Sequence, residues 1–177
     1  MTIELKDSGR TLGATLAGLD LAQPLSDEHH QLVLRALAEH SVIRFPGQRL
    51  SARQLADFSA RFGELEINVA NAYQEAGVPE VMVLSNIVAD GKPIGLADAG
   101  QGWHTDMSYS RTIAFANVLY ALEVPQRKGR PLGATEFSNM HAAYEGLPGD
   151  FKRRLANMTV LHDFNKFWEM MRREKGS

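Results

Sequence analysis

Trp103–Tyr109 reads Trp-His-Thr-Asp-Met-Ser-Tyr, and this heptapeptide says most about the fold of the chain. It places an imidazole and a carboxylate two residues apart, at His104 and Asp106. In an extended strand residues i and i+2 point to the same face, so these two side chains would project side by side. Such a strand supplies two of the three ligands of a 2-His-1-carboxylate facial triad, the site that suits non-haem Fe(II). For the pair taken alone, a solvated turn or a simple His–Asp hydrogen bond is the alternative interpretation.

The composition is that of a folded protein with a substantial core. The chain has 177 residues, of which 44% are hydrophobic and 23% charged, and its formal net charge is -2. Charges of both signs are interspersed, so we expect no surface for nucleic acid or for an anionic membrane. Because these residues include no cysteine, they can form no disulfide, thiolate metal site or cysteine nucleophile. The start of the chain lacks a signal-peptide pattern, and we expect a cytoplasmic protein that forms one domain over residues 1–177.

Capping and turn residues divide the chain into short predicted elements. Strands are predicted over residues 3–5, 13–19, 41–45, 81–84, 114–121, 134–137 and 158–162. A helix is predicted over Asp27–His40 after a Ser26 cap, and a second after a Ser51 cap, with Gly63 as its C-terminal stop. Further helices are predicted over residues 139–146, 149–157 and 166–175.

The order of these elements predicts the fold class. Strands without a regular β-α-β alternation disfavour a doubly wound sheet. They favour a mainly β protein with flanking helices (α+β), built on a double-stranded β-helix, or jelly-roll, core. Such a core needs about eight strands to close, and fewer are predicted here. We therefore expect the jelly roll to be incomplete in this chain.

Five further segments lie in a characteristic order around Trp103–Tyr109. They are His40–Gln48, Arg61–Leu65, Leu119–Pro125, Gly133–Phe137 and Ala142–Pro148. With them the chain resembles, over almost its whole length, the taurine/2,4-dichlorophenoxyacetate dioxygenase family. The resemblance implies an enzyme that uses Fe(II), 2-oxoglutarate as co-substrate and O₂. It also implies the hydroxylation of a small, anionic organic substrate with release of succinate and CO₂.

The resemblance further implies roles for individual residues. His104 and Asp106 become metal ligands, and Thr135 matches the threonine whose hydroxyl hydrogen-bonds a carboxylate of 2-oxoglutarate. Ala134 stands where the family has an aspartate, and Thr135 without the family context is an ordinary strand residue. Polar residues in segments leading to the metal ligands are candidates for substrate contact, with loop or turn positions as the alternative interpretation. These candidates are Asn71, Tyr73, Asn86 and Gln101.

The resemblance places the second histidine ligand and the 2-oxoglutarate-binding arginine beyond residue 177. His162 is the best local candidate for a third ligand, but in the family pattern its place is not that of a ligand, and we favour packing or hydrogen bonding. We therefore expect these 177 residues alone to be inactive. A non-catalytic pseudoenzyme or interaction scaffold is one alternative, and a cupin-like metal lyase or isomerase is another. Self-association is common in the family, so a homo-oligomer stays open, as does the identity of the substrate.

Overall fold

The computed structural model describes residues 2–68, 72–97, 100, 102–163, 165, 166, 169 and 173. Its strands are β1 (Glu4–Asp7), β2 (Ala14–Ala17), β3 (Ile43–Arg44), β4 (Gln74–Glu75), β5 (Val78–Met82), β6 (Val88–Ala89), β7 (Lys92–Pro93), β8 (Gln126–Arg127) and β9 (Arg130–Pro131). Its α-helices are α1 (Asp27–His40), α2 (Ala52–Ser59), α3 (Met140–Glu145) and α4 (Gly149–Leu155), and a 3₁₀ turn (Ala60–Phe62) follows α2. The described residues thus form an α+β arrangement of short strands and a few helices.

A three-stranded sheet carries the main hydrophobic core. β2 pairs with β1 in antiparallel fashion and with β3 in parallel fashion, and α1 forms the crossover between β2 and β3. Leu16 on β2 is fully buried and packs with Leu19, Leu21, Val33 of α1 and Phe58 of α2. This core therefore joins the first sheet to the first two helices.

Side-chain caps fix where these helices begin. The Ser26 hydroxyl accepts a hydrogen bond from the backbone N–H of His29 at 3.2 Å, which satisfies a free donor of the first turn of α1. Ser51 and Gln54 form a reciprocal capping box at the start of α2. The predicted Asp27–His40 helix and both serine caps are confirmed.

The Gln48 side chain holds the turn after β3 against the core. Its amide N–H groups donate to the carbonyl oxygens of Leu19 at 2.9 Å and Pro46 at 3.2 Å. Its amide oxygen accepts from the N–H of Leu21 at 2.9 Å. One side chain thereby satisfies three backbone groups of two segments that are otherwise irregular.

Two hydrogen-bonded contacts tie the later part of the chain to this N-terminal unit. The Tyr120 hydroxyl accepts from the N–H of Leu50 at 3.0 Å and donates to the carbonyl of Gln48 at 3.4 Å. Asn139 caps α3 through its amide oxygen and donates to the carbonyl of Thr11 at 2.7 Å. The segment that follows the His104–Asp106 pair is therefore anchored to the core at Tyr120.

Two hairpins in the second half of the chain have two-residue turns. Asp90 and Gly91 join β6 to β7, and both have positive φ. Lys128 and Gly129 join β8 to β9, again with positive φ at both positions. This is the conformation that a tight antiparallel hairpin requires, and glycine adopts it without strain. Both connections are therefore tight two-residue turns.

Three predicted strands are wrong. Residues 114–121, 134–137 and 158–162 form no strand, and the predicted 81–84 strand lies earlier, at Val78–Met82. A strand is stabilised by the neighbours that pair with it, and no described segment pairs with these three. The predicted helix over 166–175 falls largely outside the described residues.

The described segment 102–163 has no core of its own. Leu122 is 80% exposed and Leu161 86% exposed. Further large apolar side chains of this segment are also exposed, among them Trp103, Ile113, Phe115, Leu119, Phe137, Met140, Met158 and Val160. The strands described here close no barrel. Among the same residues, no helix is both long and apolar enough to cross a membrane.

Candidate metal centre

His104 and Asp106 lie side by side outside any strand, where an irregular segment enters a turn that begins at Asp106. Residues 106–109 turn back on themselves, with Met107 in the left-handed region at φ 58° and the N–H of Ser110 donating to the Met107 carbonyl at 2.9 Å. The His104 Nε2 and Asp106 Oδ1 atoms are 3.4 Å apart, and both side chains are about half exposed. The two side chains are adjacent as expected, while the strand expected here is wrong, because residues 104–109 belong to no strand and pair with no described segment.

A backbone carbonyl orients the imidazole. His104 Nδ1 lies 2.9 Å from the carbonyl oxygen of Gly102. A carbonyl oxygen only accepts, so the hydrogen belongs on Nδ1, and in the neutral ring Nε2 then carries a lone pair. The Nε2 atom faces Asp106 Oδ1 at 3.4 Å. Metal-ligating histidines are commonly oriented by this kind of second hydrogen bond.

An asparagine orients the carboxylate. Asn117 Nδ2 donates to Asp106 Oδ2 at 2.7 Å, a charge-assisted hydrogen bond by its length and partners. The other oxygen, Oδ1, is the one that faces His104. The two oxygens of Asp106 therefore have different surroundings.

These two donor atoms suit adjacent positions around a metal ion. Imidazole nitrogen and carboxylate oxygen each bind Zn²⁺ at about 2.1 Å, so two such ligands at right angles lie about 3.0 Å apart. The observed 3.4 Å between His104 Nε2 and Asp106 Oδ1 needs only a small adjustment. Among the described residues, no group of three or more His, Cys, Asp or Glu side chains could hold a metal. The residues present thus fit an iron centre as two of its three expected ligands.

His162 lies close to this site without joining it. Its Nδ1 atom is 3.0 Å from the hydroxyl oxygen of Ser108, two residues after Asp106. This hydrogen bond agrees with the role favoured for His162 from the sequence. It brings the end of the described chain back to the turn that carries the carboxylate.

Tyr109 supplies a protonated phenol beside the site. Its hydroxyl donates to the Met107 sulfur at 3.4 Å. Burial raises the pKa of Tyr109 above its ordinary value, and the negative charges of Glu66 and Asp106 add to the rise. The phenol therefore stays neutral at physiological pH and adds no negative charge near the Asp106 carboxylate.

The remaining predicted site residues are spread along the chain. Thr135 is exposed and outside regular structure, so the strand predicted for it is wrong, while its role stays a prediction. Tyr73 has a positive φ of 60°, and its carbonyl accepts from the N–H of Val83 at 2.8 Å. Asn86 is exposed in the irregular segment after β5. The other two substrate candidates, Asn71 and Gln101, lie outside the described residues.

Sequence reasoning missed Asn117 and Ser108. Ser108 lies within Trp103–Tyr109, but nothing in that motif indicates a contact with His162, and Asn117 follows Asp106 by eleven residues in a segment without regular structure. Only the folded chain shows that these side chains reach Asp106 and His162.

The comparison with known families decides the classification. The sequence profile described as "Taurine catabolism dioxygenase TauD, TfdA family" matches residues 4–174. The chain belongs to the TauD/TfdA family.

Individual TauD/TfdA relatives are similar over a large share of the chain. Pentalenolactone F synthase of Streptomyces avermitilis is 31% identical over 91% of this chain and 53% of its own length. The alpha-ketoglutarate-dependent 2,4-dichlorophenoxyacetate dioxygenase of Cupriavidus pinatubonensis is 32% identical over 84% of this chain and 54% of its own length. A solved structure, a taurine dioxygenase from Burkholderia xenovorans, is 31% identical, with a TM-score of 0.41 over 44% of this chain and 28% of that one. The chain spans about half the length of these curated relatives.

Proposed function

We propose that this chain is the metal-binding front portion of a 2-oxoglutarate-dependent, non-haem iron dioxygenase. The observation that carries the proposal is the pair His104 Nε2 and Asp106 Oδ1, held 3.4 Å apart within a TauD/TfdA sequence. Both side chains are oriented by further hydrogen bonds: His104 Nδ1 donates to the Gly102 carbonyl, and Asn117 Nδ2 donates to Asp106 Oδ2. Such support is typical of metal ligands and is not required of a surface ion pair.

In this proposal His104 and Asp106 hold the Fe(II) ion. Iron with 2-oxoglutarate and O₂ would supply the oxidation that hydroxylates a C–H bond and releases succinate and CO₂. The chain's own residues then have simple tasks: the carbonyl of Gly102 accepts from Nδ1 of His104 and orients the ring, and the Thr135 hydroxyl donates to a carboxylate of 2-oxoglutarate. Ordered protein dipoles in place of water are what such a site contributes to the reaction.

We further propose that the substrate is a small organic acid. The relative from Cupriavidus pinatubonensis is named for 2,4-dichlorophenoxyacetate, an aryloxy acid, and it shares 32% of its residues with this chain over the matched region. Tyr73 and Asn86, together with Asn71 and Gln101, remain our candidates for contact with it. A carboxylate enters an apolar pocket only if a charged or hydrogen-bonding partner compensates its desolvation.

We propose that the complete site takes its third ligand from further polypeptide and that this chain alone does not turn over. Among the described residues no third His, Asp or Glu joins His104 and Asp106. The exposed apolar side chains of residues 103–161 support the same proposal, because folded soluble proteins cover such surfaces. Our proposal is that the full protein closes a jelly-roll core over them.

A chimaera tests the proposed reaction. Residues 1–177 are joined to the part of the Cupriavidus dichlorophenoxyacetate dioxygenase that follows its matched region. Succinate formation is then measured with Fe(II), 2-oxoglutarate and 2,4-dichlorophenoxyacetate under air. We expect succinate in step with loss of 2-oxoglutarate, and none from the same chimaera carrying Asp106→Ala.

The other outcomes separate the alternatives. A folded chimaera that binds iron but consumes no 2-oxoglutarate would favour a pseudoenzyme or scaffold. Substrate turnover without 2-oxoglutarate would favour a cupin-like lyase or isomerase. For the 177-residue chain alone, anaerobic addition of Fe(II) and 2-oxoglutarate should give no visible charge-transfer band of the chelate. A band would contradict the proposal that the chain alone is incomplete.

A further inference from the structure

We infer that Asn117 is a positioning residue that makes Asp106 bind its metal through one oxygen only. The inference rests on the proposed function, because it concerns the same metal site. Asn117 Nδ2 lies 2.7 Å from Asp106 Oδ2, and Oδ1 is left facing His104 Nε2 at 3.4 Å. A carboxylate accepts only, so the side-chain N–H₂ of Asn117 is the donor.

The hydrogen bond from Asn117 limits how the two carboxylate oxygens of Asp106 can bind a metal ion. A carboxylate with both oxygens free can chelate one cation with both, which uses two coordination positions. The Asn117 hydrogen bond occupies Oδ2, so bidentate binding would break a charge-assisted bond of 2.7 Å. Binding through Oδ1 alone keeps that bond and leaves an additional position open for 2-oxoglutarate or O₂.

Asn117 is itself held in place from the core. Tyr120 follows it by three residues, and the Tyr120 hydroxyl is bonded to the backbone of Leu50 and Gln48. Gln48 in turn is bonded to Leu19 and Leu21, next to the buried core. Hydrogen bonds therefore anchor Tyr120 to the N-terminal core, and three residues of backbone connect Tyr120 to Asn117, whose side chain donates to the ligand carboxylate.

The test is Mn(II) binding by the 177-residue chain, with Mn(II) as an ion that does not react with O₂. Binding is followed by loss of the free-ion electron paramagnetic resonance signal for four chains: wild type, Asn117→Ala, Asp106→Ala and Asn157→Ala. Asn157 is an exposed asparagine near the end of the described chain, so Asn157→Ala is the matched control. Circular dichroism confirms that each variant keeps its helices.

We expect Asn117→Ala to raise the Mn(II) dissociation constant by about 10- to 100-fold, the usual effect of removing a partner of a metal ligand. The Asn157→Ala chain should bind as the wild type does. An Asn117→Ala chain with wild-type affinity would overturn the inference.

A second readout reports the binding mode directly. In chains with ¹³C-labelled aspartate, the infrared difference spectrum on adding Mn(II) shows the carboxylate that binds. The separation of its two stretching bands is wide for one-oxygen binding and narrow for two-oxygen binding. We expect a wide separation in the wild type and a narrower one in Asn117→Ala, a change that loss of general stability would not produce. The same separation in both chains would overturn the inference.

Asp106→Ala keeps this test distinct from that of the proposed function. If Asp106→Ala loses Mn(II) binding while Asn117→Ala does not, the metal site stands and the role of Asn117 falls. If the wild type and Asp106→Ala behave alike, the proposed metal site falls and the inference falls with it.

Discussion

Replacing Gln48 by methionine should destabilise the N-terminal unit by about 2–3 kcal/mol. Methionine has nearly the same length and shape but makes none of the three hydrogen bonds of the Gln48 amide. Two of these bonds, to the Leu19 carbonyl and from the Leu21 N–H, are partly buried, and the third, to the Pro46 carbonyl, is exposed. A hydrogen bond contributes about 0.5–1.5 kcal/mol net, and a partly buried group left without a partner costs up to about 3 kcal/mol. Water reaches the exposed carbonyl of Pro46, so the two partly buried bonds account for most of the estimate.

Urea denaturation followed by far-ultraviolet circular dichroism measures the effect through helices α1 and α2. The midpoint should fall while the slope with denaturant stays unchanged, since the surface exposed on unfolding is the same. Gln31→Met is the matched control, because Gln31 is exposed on α1, and we expect it to change stability by less than about 0.5 kcal/mol. A Gln48→Met chain as stable as this control would refute the reasoning that the amide holds the turn to the core.

Three further predictions follow from burial and charge. Leu16→Ala removes a fully buried side chain and should lower the free energy of unfolding by about 2–5 kcal/mol, measured by urea denaturation; a smaller loss would show that the core closes over the cavity. The Lys152 ammonium lies 2.7 Å from the Glu145 carboxylate and lowers its pKa. The pair therefore stabilises the fold at pH values above the ordinary glutamate pKa, and this stabilisation is lost as the pH falls through the lowered pKa. The difference in thermal midpoint between wild type and Glu145→Gln should therefore vanish in acid, and a constant difference would argue against the pair. Burial raises the pKa of Tyr109, so stability should decline as the pH rises above the ordinary tyrosine value. In an absorbance titration of the tyrosines, Tyr109→Phe should remove the component that ionises at the highest pH. If that component persists in Tyr109→Phe, the raised pKa belongs to another tyrosine.

Local interactions explain why the N-terminal helices were predictable. The Ser26 cap and the acidic first turn of α1 act within a few residues, and the Asp27–His40 bounds agree with the structure. The capping box at Ser51 is equally local. Where the residues that determine a helix end lie within the helix or next to it, the sequence was enough to predict its position.

The 114–121 segment shows where local reasoning ends. Its apolar residues match a strand pattern, yet a strand forms only when another strand satisfies its backbone groups. No described segment pairs with it, and Phe115 and Leu119 stay exposed. Pairing partners distant in sequence cannot be read from the pattern of a single segment.

The sequence predicted the two ligands of the candidate site but not the residues that orient them. The two-residue spacing of His104 and Asp106 was interpreted as a strand, whereas the pair lies in an irregular segment where a turn begins, with the two donor atoms 3.4 Å apart. Asn117 and Ser108 act through tertiary contacts that no motif encodes. The motif thus identifies the two ligand residues, whereas their orientation depends on contacts with residues elsewhere in the fold.

Anaerobic calorimetric titration of Fe(II) into the 177-residue chain tests the central claim most directly. If His104 and Asp106 hold the iron, the wild type should bind one Fe(II), and both His104→Ala and Asp106→Ala should weaken binding at least tenfold. Iron affinity that is the same in all three chains would contradict the account.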